Sequence, residues 1–403
     1  MKFKMTPDKL MIALFAIVLL VIPTTTLLLP KSERSENENR TLAKFPSLVN
    51  QVKLDKAQTL EEVIQAVKWD YIIDRKNPSF MDDFETYFAD HLAGREIWVK
   101  TSNKMSAAMG RDEINGVYTV DGMMIETFRD YDKNEVQKSI DAINAFAERY
   151  SDIPMYFLLA PTAQEIYKPR MTSYSGVTSE KLFIEECAAK LKNVGYIDAL
   201  GYLSGKSGDY IYYRTDHHWT SLGAYYAYCA CAWQLGFNPI GLNEFNIETA
   251  SSSFYGTLYS KTLDDSIAPD SIEYYHLANG EPKVTLTRIN GDKIETCDSL
   301  YVREYLKTKD KYSSFTGENV PIVTIDTDVD NDKQLLIIKD SYAHSLVPFL
   351  SKHYSRITMV DMRYINTDLN HFITVRDYDR ILFVHNVITF SEESYLKKLA
   401  LTA

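Results

Sequence analysis

Residues 213–226 read YRTDHHWTSLGAYY, so an acid, two histidines and a tryptophan fill four consecutive positions: Asp216, His217, His218 and Trp219. A carboxylate that accepts a hydrogen bond from one imidazole nitrogen fixes the tautomer and stabilises the protonated ring, which leaves the other nitrogen as a general base. If the chain enters the motif extended, alternation puts Asp216 and His218 on one side and His217 on the other. Asp and His are also metal-ligand types. Adjacent histidines on opposite faces fit one ion poorly, so the reading is an acid–base pair with no metal and no cofactor.

A base needs a nucleophile to serve. Ser341 in LLIIKDSYAHSL lies where an apolar run gives way to a helical pattern. A helix N-terminus there offers free N–H groups and positive dipole charge, suited to an alkoxide or a tetrahedral oxyanion. Sites of open α/β sheets lie at such carboxyl ends of strands. Asn386 ends a second apolar run, RILFVHNV, and its amide is a candidate oxyanion donor. Both positions also suit plain structural roles, since Ser and Asp cap any helix and Asn ends many strands.

The surrounding pattern supplies elements to hold these groups. GVYTVDGMMIE has a hairpin signal at Asp121-Gly122. An amphipathic helix over 132–150 feeds the buried strand IPMYFLLAP, followed by a helix SEKLFIEECAAKLKNV, a strand YIDAL and, past the DHHW turn, a helix over 222–237. After a stretch rich in short strand patterns the rhythm resumes with QLLIIKD, SYAHSLVPFLSKHY, RITMVDM, a helix over DLNHFITVRDY, and RILFVHNV. Strand and helix in alternation give an α/β fold with a parallel sheet. The expected division is 76–240 for the first half of that domain, 241–332 for a β-rich insertion and 333–403 for the second half.

The first thirty residues differ from the rest. An apolar run of about twenty residues over 10–29 is long enough to span a bilayer, and without a clear small-residue cleavage site it reads as an uncleaved anchor. Lys2, Lys4 and Lys9 precede the run, which puts residues 1–9 in the cytoplasm and the remaining chain outside. Residues 30–75 read as a polar tether and N-terminal segment. The net charge of -11 argues against nucleic acid as a partner, because phosphate backbones select clustered Lys and Arg. Cys229 and Cys231 read as small buried hydrophobes, while Cys187 and Cys297 are free to pair or not.

These motifs together resemble the DHHW family, which groups with the AlgX/AlgJ-type alginate O-acetyltransferases among SGNH-hydrolase-like proteins. The likeness rests on DHHWTSLGA, KDSYA, YFADHLAGRE and NGVYTVDGMMIE, and extends from NRTLAKFPSL to the final strand. It implies a flavodoxin-like parallel sheet, circularly permuted because the serine follows the Asp-x-His-Trp motif in the chain. Asp216, His218 and Ser341 take the places of acid, base and nucleophile, and Asn386 matches the third-strand asparagine by topology. Lys339 stands where a glycine often precedes the Asp-Ser pair, and the strand ending MVDMRY lacks an oxyanion glycine, which makes Arg363 a candidate donor. His217 and Trp219 are candidates to face substrate.

The resemblance further implies a membrane-anchored, extracytoplasmic enzyme that moves acetyl groups onto a cell-surface or exported polysaccharide, with the acetyl group supplied by a membrane-bound O-acyltransferase. A carbohydrate esterase using the same triad, and a polysaccharide-binding scaffold without catalysis, are the competing readings. The tyrosines of YLSGKSGDYIYY suit either stacking on sugar rings or packing of a half-buried surface.

Overall fold

The computed structural model describes residues 6–172 and 176–402. It divides between Arg111 and Asp112 into two compact units, which moves the expected start of the α/β domain from residue 76 to 112. The first unit carries helix α1 (Pro7–Leu28), long and apolar enough to cross a membrane, as either an anchor or a signal sequence would be. Thr25 lies within that apolar run, and its hydroxyl bonds back to the carbonyls of Val21 and Ile22, at 2.8 and 2.9 Å. Lys2 and Lys4, which carry much of the charge asymmetry, lie outside the described residues.

Helices α2 (Phe80–Asp90) and α3 (Arg95–Ala108) complete the first unit. Ser79 and Asp82 form a reciprocal capping box that starts α2. The polar stretch read as a tether is fastened here: Arg40 grips Asp90, whose carboxylate also takes the Ala43 N–H, and the Asn37 amide bonds Glu96 at 2.9 Å. Short helices over 51–54, 60–66 and 69–72 fill the rest of it.

The second unit opens with strands β1 (Val117–Val120) and β2 (Met123–Glu126), an antiparallel hairpin. Its turn has φ of 50° at Asp121 and 73° at Gly122, the left-handed pair that Asp-Gly supplies at low cost. Helix α4 (Lys133–Arg149), capped by Asp132, leads to β3 (Met155–Ala160), then α5 (Glu180–Lys190) and β4 (Val194–Tyr196). The strand expected over YIDAL ends early because Asp198 accepts the Gly201 N–H and starts a short helix. Helix α6 (Ser221–Leu235) follows the DHHW residues.

Strand β5 (Phe245–Phe254), helix α7 (Thr257–Thr262) and strand β6 (Asp270–Leu277) come next, and β5 and β6 pair as a separate two-stranded sheet. Strands β7 (Val284–Asn290), β8 (Lys293–Cys297) and β9 (Ile322–Thr327) instead join the main sheet. The expected insertion is therefore not one separate body, since half of it continues the central sheet. Strand β10 (Gln334–Lys339), helix α8 (Ala343–Leu350), strand β11 (Arg356–Val360), strand β12 (Arg380–Asn386) and helix α9 (Val387–Glu392) complete the elements that frame the site. The helix expected over DLNHFITVRDY is two isolated turns, 369–371 and 375–377. Leu369 and Val375 are its buried apolar anchors, and their six-residue spacing does not follow a helical face.

Among the described residues the main sheet has eight strands in the order β8-β7-β9-β11-β10-β12-β3-β4. From β11 to β4 all neighbours are parallel, and from β8 to β11 all are antiparallel. The parallel strands are covered on both faces. Leu335 and Ile337 of β10 enter the core shared with α6 and α8, while Leu336 and Ile338 enter the core shared with α4 and α5. All four are fully buried, and each such side chain contributes roughly 1.5–3 kcal/mol. This buried strand carries the chain to Ser341. The four cysteines are free thiols, with Cys187 and Cys231 buried.

Candidate active site

The DHHW residues sit on a reversal, not on an extended strand. The Thr220 N–H bonds the Ile211 carbonyl at 2.9 Å and the Tyr213 N–H bonds the His218 carbonyl at 3.2 Å, so residues 211–213 run antiparallel to 218–220 around a loop of Arg214–His217. Buried Asp270 ties the loop from below, accepting the N–H groups of Arg214 and Thr215 at 2.8 and 2.9 Å and the Thr215 hydroxyl at 2.5 Å. Alternation therefore fails: the rings of His217 and His218 overlie each other on one side, with centroids 3.9 Å apart.

Within the loop, Asp216 Oδ1 accepts the His218 N–H at 3.0 Å and its Nδ1–H at 2.6 Å. Asp216 Oδ2 accepts the Thr257 N–H at 2.8 Å and its hydroxyl at 3.1 Å. Burial raises the pKa of this carboxyl, but the two imidazoles and these donors outweigh burial and hold it well below the usual carboxylate range. A side chain at Gly256 would start 2.2 Å from Asp216 Oδ2, so only glycine lets α7 approach this closely. Thr257 and Gly256 stand about forty residues from the motif, and nothing in the local pattern of YGTLYS marks them.

On the other side, β10 ends at Lys339 and the chain turns into α8. His218 Nε2 lies 2.7 Å from Ser341 Oγ, completing a continuous chain from carboxylate to imidazole to hydroxyl. Burial and the neighbouring His217 ring lower the His218 pKa below the ordinary histidine value, against the pull of Asp216. The Tyr312 ring stacks on His218 at 3.7 Å and 10°, and its hydroxyl donates to the Ser341 carbonyl at 3.1 Å. Tyr312 was invisible in the sequence, because it lies in an irregular stretch of the β-rich region.

Asp340 ties the serine turn to the next strand. Its Oδ1 accepts the Tyr342 N–H at 2.9 Å, and its Oδ2 accepts both the N–H and the side-chain amide of Asn386 at 2.7 Å. The second amide hydrogen of Asn386 goes to the Thr389 hydroxyl at 2.8 Å. Both are spent, so Asn386 is a positioning residue here and the oxyanion role expected of it does not agree with the geometry. Arg363 bonds Asp361 through Nε at 2.9 Å and a terminal nitrogen at 2.6 Å, an ion pair that uses two of its five N–H donors. The same Asp361 pairs with buried Lys339 at 3.2 Å, which gives the unexpected lysine before Asp340 its partner.

Trp219 does not face substrate. It is fully buried, and its indole N–H reaches Ser345 Oγ at 2.9 Å and the Tyr342 carbonyl at 3.2 Å, bracing the loop against α8. Tyr212 and Tyr213 are also fully buried, which settles their role as packing. Asp216, His217 and His218 lie close enough to offer a metal three ligands. Both Asp216 oxygens and both His218 nitrogens are already engaged in the chain just described. The Ser341 N–H, at the end of β10, makes no hydrogen bond among the described residues.

No curated protein matches this chain. Among solved structures, a DHHW family protein from Eubacterium siraeum is 27% identical with a TM-score of 0.61, covering 72% of this chain and 97% of its own. Bacillus cereus PatB1, solved with a sulfonyl adduct, is 19% identical with a TM-score of 0.61, over 71% of this chain and 98% of that one. The O-acetyltransferase domain of Pseudomonas putida AlgJ is a looser likeness, at 14% identity and a TM-score of 0.44, over 70% and 98%. Residues 111–360, which hold the loop, Tyr312 and the serine turn, match the family model described as DHHW protein, and the chain belongs to the DHHW family.

Proposed function

We propose that this protein is a membrane-anchored, extracytoplasmic O-acetyltransferase acting on a cell-surface or exported polysaccharide. The observation that carries the reading is the unbroken Asp216–His218–Ser341 chain, with its 2.6 and 2.7 Å contacts. His218 takes the Ser341 proton as Oγ attacks the acyl carbon, then returns it to the departing group. In the second half, a sugar hydroxyl gives its proton to His218 and displaces Ser341 from the acyl carbon. The Ser341 N–H is the oxyanion donor the turn offers, a role in which one donor contributes about 3 kcal/mol.

The likeness of the motifs to the alginate O-acetyltransferase group directs the acyl group to a sugar instead of water. The apolar helix α1, read as an anchor, favours a site outside the cytoplasm, where acyl donors are absent, so a membrane-bound O-acyltransferase is the partner that delivers acetyl groups. We read the fold as a circularly permuted SGNH-hydrolase-like one, which the nucleophile strand following the acid–base loop supports.

The full chain in detergent, given an activated acetyl ester with and without oligosaccharide, is expected to acetylate the sugar. Free acetate alone would replace the transferase with an esterase. Absence of any acetyl-Ser341 would leave a binding scaffold.

A further inference from the structure

We propose that His217 recognises the acyl acceptor, its Nε2 taking a hydrogen bond from the hydroxyl next to the one acylated, so that the site selects acceptors with adjacent hydroxyls. The proposal rests on the acyl-transfer reading above and assigns a task to the member of the motif that the triad leaves unused.

Hydrogen counting sets the His217 tautomer. The Thr257 hydroxyl has one hydrogen, and at 3.1 Å it faces Asp216 Oδ2, a carboxylate oxygen that can only accept. His217 Nδ1 lies 2.7 Å from the same hydroxyl oxygen, so it is the ring that donates. The uncharged ring then carries its hydrogen on Nδ1 and a bare lone pair on Nε2. Nε2 makes no hydrogen bond among the described residues, and the His217 side chain is 26% exposed where that of His218 is 6% exposed.

Position matches this lone pair to a substrate. Both Nδ1 atoms turn toward Asp216, at 2.6 Å for His218 and 3.9 Å for His217. Because the rings overlie each other at 3.9 Å with a 36° tilt, both Nε2 atoms face away from the carboxylate. One of them meets Ser341 Oγ. The other is an acceptor beside the reacting centre.

Proton balance then dictates which hydroxyl it serves. In the transfer step the attacking hydroxyl gives its only hydrogen to His218 Nε2 as its oxygen bonds the acyl carbon. The acyl–Oγ bond breaks, and Ser341 Oγ recovers the hydrogen from His218. Nothing remains on the attacking oxygen for His217, so His217 Nε2 accepts from a neighbouring hydroxyl and aligns the first one.

The test is a competition. The full chain, charged with p-nitrophenyl acetate, is offered an equal mixture of cyclohexanol and a cyclohexane diol with adjacent hydroxyls, and the acetylated products are counted by mass spectrometry. Both acceptors draw on one acyl-enzyme, so their ratio is independent of how fast that intermediate forms. Wild type is expected to favour the diol, per hydroxyl, by about tenfold, the effect of one hydrogen bond. His217→Ala is expected to lose that preference, and His217→Gln, which restores an acceptor oxygen at comparable reach, to regain part of it. A His217→Ala enzyme that keeps the wild-type ratio overturns the proposal, as does a wild type that acetylates both acceptors equally. Release of acetate by wild type with neither acceptor modified removes the transferase reading itself, and the proposal with it.

Discussion

Asp216 and His218 sit on an irregular loop whose shape is set by side chains brought from elsewhere: Asp270 below it and Thr257 beside it. Ser341 sits at a strand-to-helix junction whose shape is set by the backbone of a buried parallel sheet, with Asp340 and Asn386 locking one strand end to the next. The loop half therefore depends on a few distant residues approaching to within van der Waals contact. The serine half has its position fixed many times over. A site made of two such halves is expected to be brittle on the first side and tolerant on the second.

The largest effects cannot distinguish the halves, and they establish the scale. Ser341→Ala is expected to cost about 10⁶ in kcat, as loss of a triad nucleophile does, with the melting temperature nearly unchanged; acetyl transfer at wild-type rate would remove Ser341 from the mechanism. Asp216→Asn keeps the shape of the loop but offers His218 Nδ1 a group that can donate, and about 10⁴ in kcat is expected to go with the wrong tautomer. A loss below tenfold in steady-state kinetics would mean that His218 is oriented by something else.

Gly256→Ala tests the brittleness directly. The new methyl would fall 2.2 Å from Asp216 Oδ2, forcing the carboxylate or α7 aside, so kcat should fall by about 10² and stability by about 1–3 kcal/mol. Equal activity in the variant would show that the loop is softer than its hydrogen bonds imply. On the tolerant side, Asn386→Ala removes one donor from buried Asp340 Oδ2, which keeps its bond to the backbone N–H, and one from the Thr389 hydroxyl. Denaturant unfolding should report a loss of about 1–3 kcal/mol, while the sheet keeps kcat within about tenfold. A collapse of activity as deep as that of Gly256→Ala would erase the contrast.

The smallest expected effect is a displacement along the pH axis. His218 must be uncharged to take the serine proton, and its pKa in the folded protein is lowered by burial and by His217. The base form therefore persists to lower pH, and kcat/KM should rise with pH along a limb that lies below about 6.5. A limb at or above that value would mean that the Asp216 carboxylate wins over burial.

The two halves also differed in how they could be read. The loop announced its chemistry through residue types, yet its geometry was misjudged. Alternation assumes an extended chain, and the reversal at Arg214–His217 is held by Asp270 and Thr257, which no local pattern connects to it. The serine announced little through its residue type, yet its place was legible, because the run LLII just before Lys339 is apolar without a break, as in a strand covered on both faces. The region over 241–332 was read as a separate excursion because β7 to β9 are antiparallel, half-exposed strands whose pattern does not say which sheet they extend. Asn386 was placed near the site but given the wrong partner: a sequence shows which groups can donate hydrogen, not whether a buried carboxylate and a hydroxyl have already claimed them.

The order of strands in the sheet has a consequence for how the protein is made. Strand β12 lies between β10 and β3, which both precede it in the chain. Until it arrives, the strand that ends at the serine has no neighbour on that side and Asp340 has no asparagine to hold. A growing chain can thus carry every residue of the triad and still lack an assembled one, so catalytic competence is expected to appear abruptly, when β12 closes the gap.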